Sequence, residues 1–141
     1  MKRIVSSILI ILILFSSACA ADKFLDNYNF YAESVYGIQQ IRFDKKDSSY
    51  TQYVSDTVYV CVWTDGSISV ISKNHIDAIS AACCVLRCID NKGNRIDQYG
   101  RILHAYYLSM SASGEMKTAV TENKISITVN TNHDLLYIWV K

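Results

Sequence analysis

The chain has 141 residues, with 14 Lys+Arg against 13 Asp+Glu, five Cys, ten Tyr and no Pro. That length gives one domain, and a composition that is 50% hydrophobic and 19% charged excludes a disordered tail. A net charge of +1 excludes a general binder of nucleic acid or of anionic membranes, because both need a clear basic excess.

The N-terminus reads as an export signal. Met1-Lys2-Arg3 is a short basic start, Ile4 to Phe15 is nearly all Ile, Leu and Val, and small residues follow from Ser16 to Ala21. The apolar run is shorter than the roughly 20 residues of a transmembrane span. Ala18-Cys19-Ala20 fits an A-x-A cleavage site, so residues 1–20 are expected to be removed and residues 21–141 to form a single domain. Cleavage there leaves 12 basic residues against 13 acidic, and four Cys. Ser16-Ser17-Ala18-Cys19 is also a weak lipobox, with Ser16 where a Leu-like residue is usual. Lipid on Cys19 would anchor the chain instead.

Beyond the signal, Asp22 to Tyr31 is polar and aromatic and reads as an arm, and Ser34 to Phe43 reads as a strand. Phe43 to Ser49 reads as a charged turn. Tyr50 to Trp63 reads as strand, with Val58, Val60 and Val62 alternating with Tyr59, Cys61 and Trp63. Thr64-Asp65-Gly66-Ser67 is a tight-hairpin signal, and Ile68 to Ser72 is the return strand. Ile79 to Ile89 fits either a strand or a short helix. Residues 97–113 have helical spacing in Tyr99, Ile102, Leu103, Tyr106, Tyr107 and Met110, with Asn94 or Asp97 to cap the start and Gly114 to end it. Strands are predicted at Met116–Thr121, Ile125–Val129 and Leu135–Val140. Short strands with one helix predict a mainly β fold, an OB-fold-like small barrel with one amphipathic helix at about 97–113.

Few constellations carry chemistry. His75, His104 and His133 are isolated, and no nucleophile elbow is present, so no enzyme is predicted. Cys61, Cys83, Cys84, Cys88 and His75 lack a Cys-x-x-Cys pair, so no metal or other cofactor is expected. In an exported chain disulfides are the better reading, with Cys61 and Cys88 placed to staple neighbouring strands. The first half is crowded with Tyr28, Phe30, Tyr31, Tyr36, Tyr50, Tyr53, Tyr59 and Trp63 among Asn, Ser and Asp. Sugar sites use such mixtures, and so do ordinary β cores.

The residues also resemble a family. Asp26-Asn27-Tyr28-Asn29-Phe30-Tyr31 followed by Ser34 is similar to the start of the B subunits of AB-pentamer toxins in the pertussis-like group, the subtilase cytotoxin and typhoid toxin type. Ile38 to Phe43, Tyr59-Val60-Cys61-Val62, Cys88, Ala105-Tyr106-Tyr107 and Ser113-Gly114 continue the likeness in order and spacing. The resemblance implies an OB-fold, a Cys61–Cys88 disulfide and a homopentameric ring. It also implies recognition of sialylated glycans on host glycoproteins or glycolipids, and delivery of a catalytic A subunit. It places a sugar contact at Ser34, with Thr121 where the relatives carry Tyr, and Asn29 and Tyr31 of the arm are further candidates for the glycan site. The longer stretch between Cys61 and Cys88, the extra Cys83 and Cys84, and a missing C-terminal Cys pair depart from the family.

The expected function is therefore a secreted or periplasmic receptor-binding subunit that binds glycans, not nucleic acid. The alternatives are an envelope lipoprotein or periplasmic interaction protein without a glycan ligand, and a secreted hydrolase using Ser or Cys with His104.

Overall fold

The computed structural model describes residues 23–89, 100–108 except 102 and 106, 117–120, 126–132 and 135–141. The expected export signal, Cys19, Thr121 and His133 lie outside the described residues. So do both expected ends of the helix at 97–113.

The fold is mainly β, a seven-stranded antiparallel sheet with helices against it. Its strands are β1 (Arg42–Lys46), β2 (Tyr50–Val54), β3 (Val58–Trp63), β4 (Ile68–Ser72), β5 (Lys117–Val120), β6 (Ser126–Asn132) and β7 (Leu135–Val140). The order across the sheet is β1-β2-β3-β4-β7-β6-β5. The sheet is open rather than closed as the expected barrel, because β1 and β5 each have a single neighbour among the described strands. A four-strand meander grows on one side and a three-strand meander on the other, and they meet where β4 pairs β7. The β1 edge is solvated and charged, with Arg42, Lys45 and Lys46 exposed, a pattern that discourages pairing with other chains.

The expected arm is a helix. Helix α1 covers residues 23–31, and its chain widens into a π-helical turn at Ala32–Tyr36. Phe24, Leu25, Tyr28, Tyr31 and Ala32 recur at helical spacing and turn toward the core, with Tyr28 and Ala32 fully buried. The predicted strand at 34–43 is thereby corrected. Its first residues belong to this turn, which ends at Gly37 in the left-handed region (φ 62°), and regular strand begins only at Arg42. The predicted charged turn at 43–49 is mostly β1, with a bulge between Phe43 and Lys45. The run from Tyr50 to Trp63 is two strands, broken at Ser55-Asp56-Thr57. There the Ser55 Oγ accepts from the backbone N–H of Val58 at 3.1 Å.

Between β4 and β5 the chain forms α2 (His75–Ile89), which settles the ambiguous stretch as helix. Asn74 caps it, its Oδ1 accepting from the N–H groups of Ile76 (3.0 Å) and Asp77 (3.4 Å). Eight residues from Ala78 to Leu86 are buried, so α2 is apolar on nearly every side and forms the centre of the core. A further helix, α3, is described at residues 100–108 within the predicted 97–113 segment. Among the described residues the single expected helix is thus one of three. Leu103 of α3 is fully buried and Gly100 lies against α2, where an added Cβ would sit 3.5 Å from the Cys83 Sγ.

The inner face of the sheet carries Val58, Val60, Ile68, Val70, Ile127, Val129, Leu136, Ile138 and Val140, which belong to one core cluster with α2, and α2 lies against β3, β4 and β7. Arg87 ties α2 to the N-terminal segment. Its Nε donates to the Tyr36 Oη at 3.1 Å, and its guanidinium lies 5.6 Å and 5.7 Å from the Tyr31 and Tyr36 ring centres.

Two expected outcomes follow from this core. Leu86→Ala will lower unfolding stability by ~2–5 kcal/mol in urea titration, because a fully buried leucine leaves a cavity. The Tyr28 Oη is buried with no hydrogen-bond partner among the described residues. Tyr28→Phe will therefore leave stability unchanged or raise it by up to ~1–3 kcal/mol, the cost of a desolvated hydroxyl. A loss in that variant would reveal a partner for the hydroxyl.

Candidate functional site

Of the residues singled out from the sequence around Ser34, the described ones are Ser34, Asn29 and Tyr31. Ser34 is exposed within the π-helical turn. Asn29 has both ends of its amide engaged, its Nδ2 donating to the Ile41 carbonyl at 2.9 Å and its Oδ1 accepting from the Ile41 N–H at 2.8 Å. That pair ties α1 to the start of β1, leaving Asn29 a structural role. Tyr31 is half-buried, edge-on to Phe30 at 5.4 Å and beneath Arg87. Asn29 and Tyr31 thus support the fold of the N-terminal segment.

The Cys61–Cys88 disulfide is not formed. Cys61 and Cys88 both carry free thiols. Period-two alternation explains this. Val60 points inward to α2, so Cys61 points outward, with its Sγ 3.7 Å from the Gln52 Oε1. Cys88 packs on the core side with α2. Burial pushes the Cys88 thiol up to about 12 and raises those of Cys61 and Cys84. Among the described residues no three His, Cys, Asp or Glu converge as a metal site. The His75 ring stacks on Tyr107 at 4.5 Å, and exposed His104 lies 6.4 Å from His75.

What the fold does assemble is the outer face of the sheet. The register sets Tyr50 opposite Trp63, Gln52 opposite Cys61 and Cys61 opposite Ser69. It also sets Ser69 opposite Trp139, then Trp139 opposite Thr128 and Tyr137 opposite Asn130. These residues share one face, away from α2. Trp63 and Trp139 are the two tryptophans of the chain, and both lie here. Their rings are nearly parallel at 18°, with centres 5.7 Å apart, and Tyr50 extends the strip at 5.2 Å from Trp63. The Trp63 Nε1 donates to the Ser69 Oγ at 3.0 Å, fixing its ring. Trp139 is 40% exposed, although it is a large aromatic in a strand.

Two hollows flank Trp139. One, of about 130 Å³, is lined by Ser49, Trp63, Thr64, Asp65, Ser67 and Trp139. The other, of about 270 Å³, is lined by Thr128, Asn130, Tyr137 and Trp139. The β3–β4 hairpin presents Asp65. Gly66 takes φ 84°, and the Asp65 Oδ1 accepts from the Ser67 N–H (2.9 Å) and Oγ–H (2.6 Å). Lys141 Nζ lies 3.3 Å from the Asp65 Oδ2. The Ser67 hydroxyl, the Ser67 N–H and Lys141 together hold the Asp65 carboxyl down at about 2. Aromatic faces beside hydroxyl, amide and carboxylate groups can bind a ligand having both apolar C–H faces and hydroxyls.

Sequence reasoning saw the aromatic crowding but placed the site on the arm. The tryptophans stand far apart in the chain, and only the β4–β7 pairing brings Trp139 beside Trp63. No family model matches the sequence, no curated protein matches it and no solved structure matches the fold. Among the described residues, no helix is long and apolar enough to cross a membrane.

An NMR titration should give an Asp65 midpoint near 2, against 3.8 for an unperturbed aspartate. The folded-state value is depressed, so the stabilisation from this turn is present above pH 3.8 and is lost as pH falls through about 2. Ser67→Ala should move the midpoint up toward 3.8, and an unchanged midpoint would remove Ser67 as its cause.

Proposed function

We propose that this chain is a non-catalytic glycan-binding protein whose ligand lies on the outer face of the sheet. The observation that carries this reading is the near-parallel, partly exposed Trp63–Trp139 pair, flanked by hollows lined with Ser, Thr, Asn and Asp side chains. A tryptophan exposed on a solvated sheet face leaves apolar surface in water, and a sugar ring's C–H face covers it while its hydroxyls meet the polar rim. The signal-like N-terminus supports export to where such glycans occur.

The fuller reading is a toxin receptor-binding subunit that recognises sialylated host glycans and delivers a catalytic A subunit as a homopentamer. It rests on the order of the sequence motifs. The open sheet and the separated Cys61 and Cys88 give it no added support.

A glycan array followed by calorimetry tests the proposal. Trp139→Ala should weaken binding at least about tenfold, equivalent to ~1.4 kcal/mol, with an unchanged thermal midpoint. Ser34→Ala should bind as the parent does. Loss of binding in Ser34→Ala with full binding in Trp139→Ala would return the site to the N-terminal segment.

A further inference from the structure

We infer that the ligand is an uncharged linear oligosaccharide of at least two pyranose units, laid across the strands so that consecutive units straddle Trp139. This rests on the glycan-binding reading and narrows it by size and charge.

The size argument comes from the two hollows. They share Trp139 as their common wall and are about 130 Å³ and about 270 Å³. Each is smaller than the roughly 300–1,000 Å³ of a pocket that encloses a drug-sized ligand. Neither hollow alone encloses much, so a ligand that gains from both must be extended and must cross the Trp139 ridge. The strip of rings runs the same way. Tyr50, Trp63 and Trp139 follow one another over β2, β3 and β7, with centres 5.2 Å and 5.7 Å apart. A single sugar would use one ring, whereas a chain uses several.

The charge argument comes from Asp65. Among the described residues it is the one charged residue lining the hollows, and its carboxyl is exposed beside Trp63. A sugar carboxylate bound there would face a like charge. Lys141 partly offsets it, but Lys141 is already paired with Asp65 and lines neither hollow. A further cation, Lys45, sits 5.9 Å from the Tyr50 ring centre, two rings away from Trp139. The larger hollow offers Asn130 and Tyr137, groups that pair with hydroxyl and acetamido substituents.

The test uses the full chain and the fluorescence of its two tryptophans, both of which lie in the strip. Probes are glucose, N-acetylglucosamine, their β-1,4-linked tetrasaccharides, and sialyllactose. Expected is saturable binding of at least one tetrasaccharide, with its monosaccharide at least about tenfold weaker. Sialyllactose should be weaker by about fivefold or more, the effect of one like charge near 4 Å in water. Asp65→Asn keeps the acceptor for Ser67 and should narrow that gap. A monosaccharide equal to its tetrasaccharide, or a preference for sialyllactose in the parent chain, would overturn this inference and leave glycan binding intact. Binding of none of these sugars, together with self-association that Trp139→Ala abolishes, would overturn both. The face would then be covered by a second copy of the chain.

Discussion

The structure depends on one buried contact, the seat of α2 across the inner face of β4 and β7. Fifteen residues of α2 are needed to cover that face, and eight of them are buried. Their small side chains, Ala78, Ala81, Ala82, Cys83 and Cys84, let the helix approach the sheet and its neighbouring helices closely. Val70 and Ile138, fully buried and paired across β4 and β7, form the floor of the contact. Without it the two meanders would meet only through backbone pairing, and an antiparallel sheet needs apolar cover on one face at least.

One-sided cover has a consequence for the other face. Strand side chains alternate strictly, so each inward valine in β3 forces an outward Tyr59, Cys61 or Trp63. The outer residues are large and aromatic rather than short and charged. They shield Cys61 and Ser69, which are nearly inaccessible although no helix of the described residues lies over them. The proposed site is therefore a by-product of the same register that builds the core. A slip of one residue in β3 would invert both faces at once.

The N-terminal segment is built differently. Asn29 supplies a backbone-like pair of hydrogen bonds to Ile41, and Arg87 reaches back from α2 to Tyr31 and Tyr36. These polar ties position α1 beside the core that Tyr28 and Ala32 enter. Residues that resemble a sugar-binding arm in sequence are thereby occupied with holding the chain to itself. The departure from a closed barrel has a related cause. With α2 lying against β4 and β7 in the middle of the sheet, β1 and β5 end at opposite edges and do not pair.

The sequence alone determined the local elements with strong periodicity: β3, the Asp65-Gly66 hairpin, β4, the strands near the C-terminus and part of α3. Those patterns follow from alternation and turn chemistry, which act over a few residues. The helix of residues 23–31 was also written there, in Phe24, Leu25, Tyr28, Tyr31 and Ala32, but its Asn and Tyr content reads equally as an arm. The tertiary structure decided the rest. It made residues 75–89 a buried helix, because Ala and Cys fit either state until a sheet face must be covered. It separated Cys61 from Cys88, because one faces outward from a strand and the other belongs to that covering helix. It brought Trp139 to Trp63 through the pairing of β4 with β7, a contact between segments about 70 residues apart that no local pattern encodes.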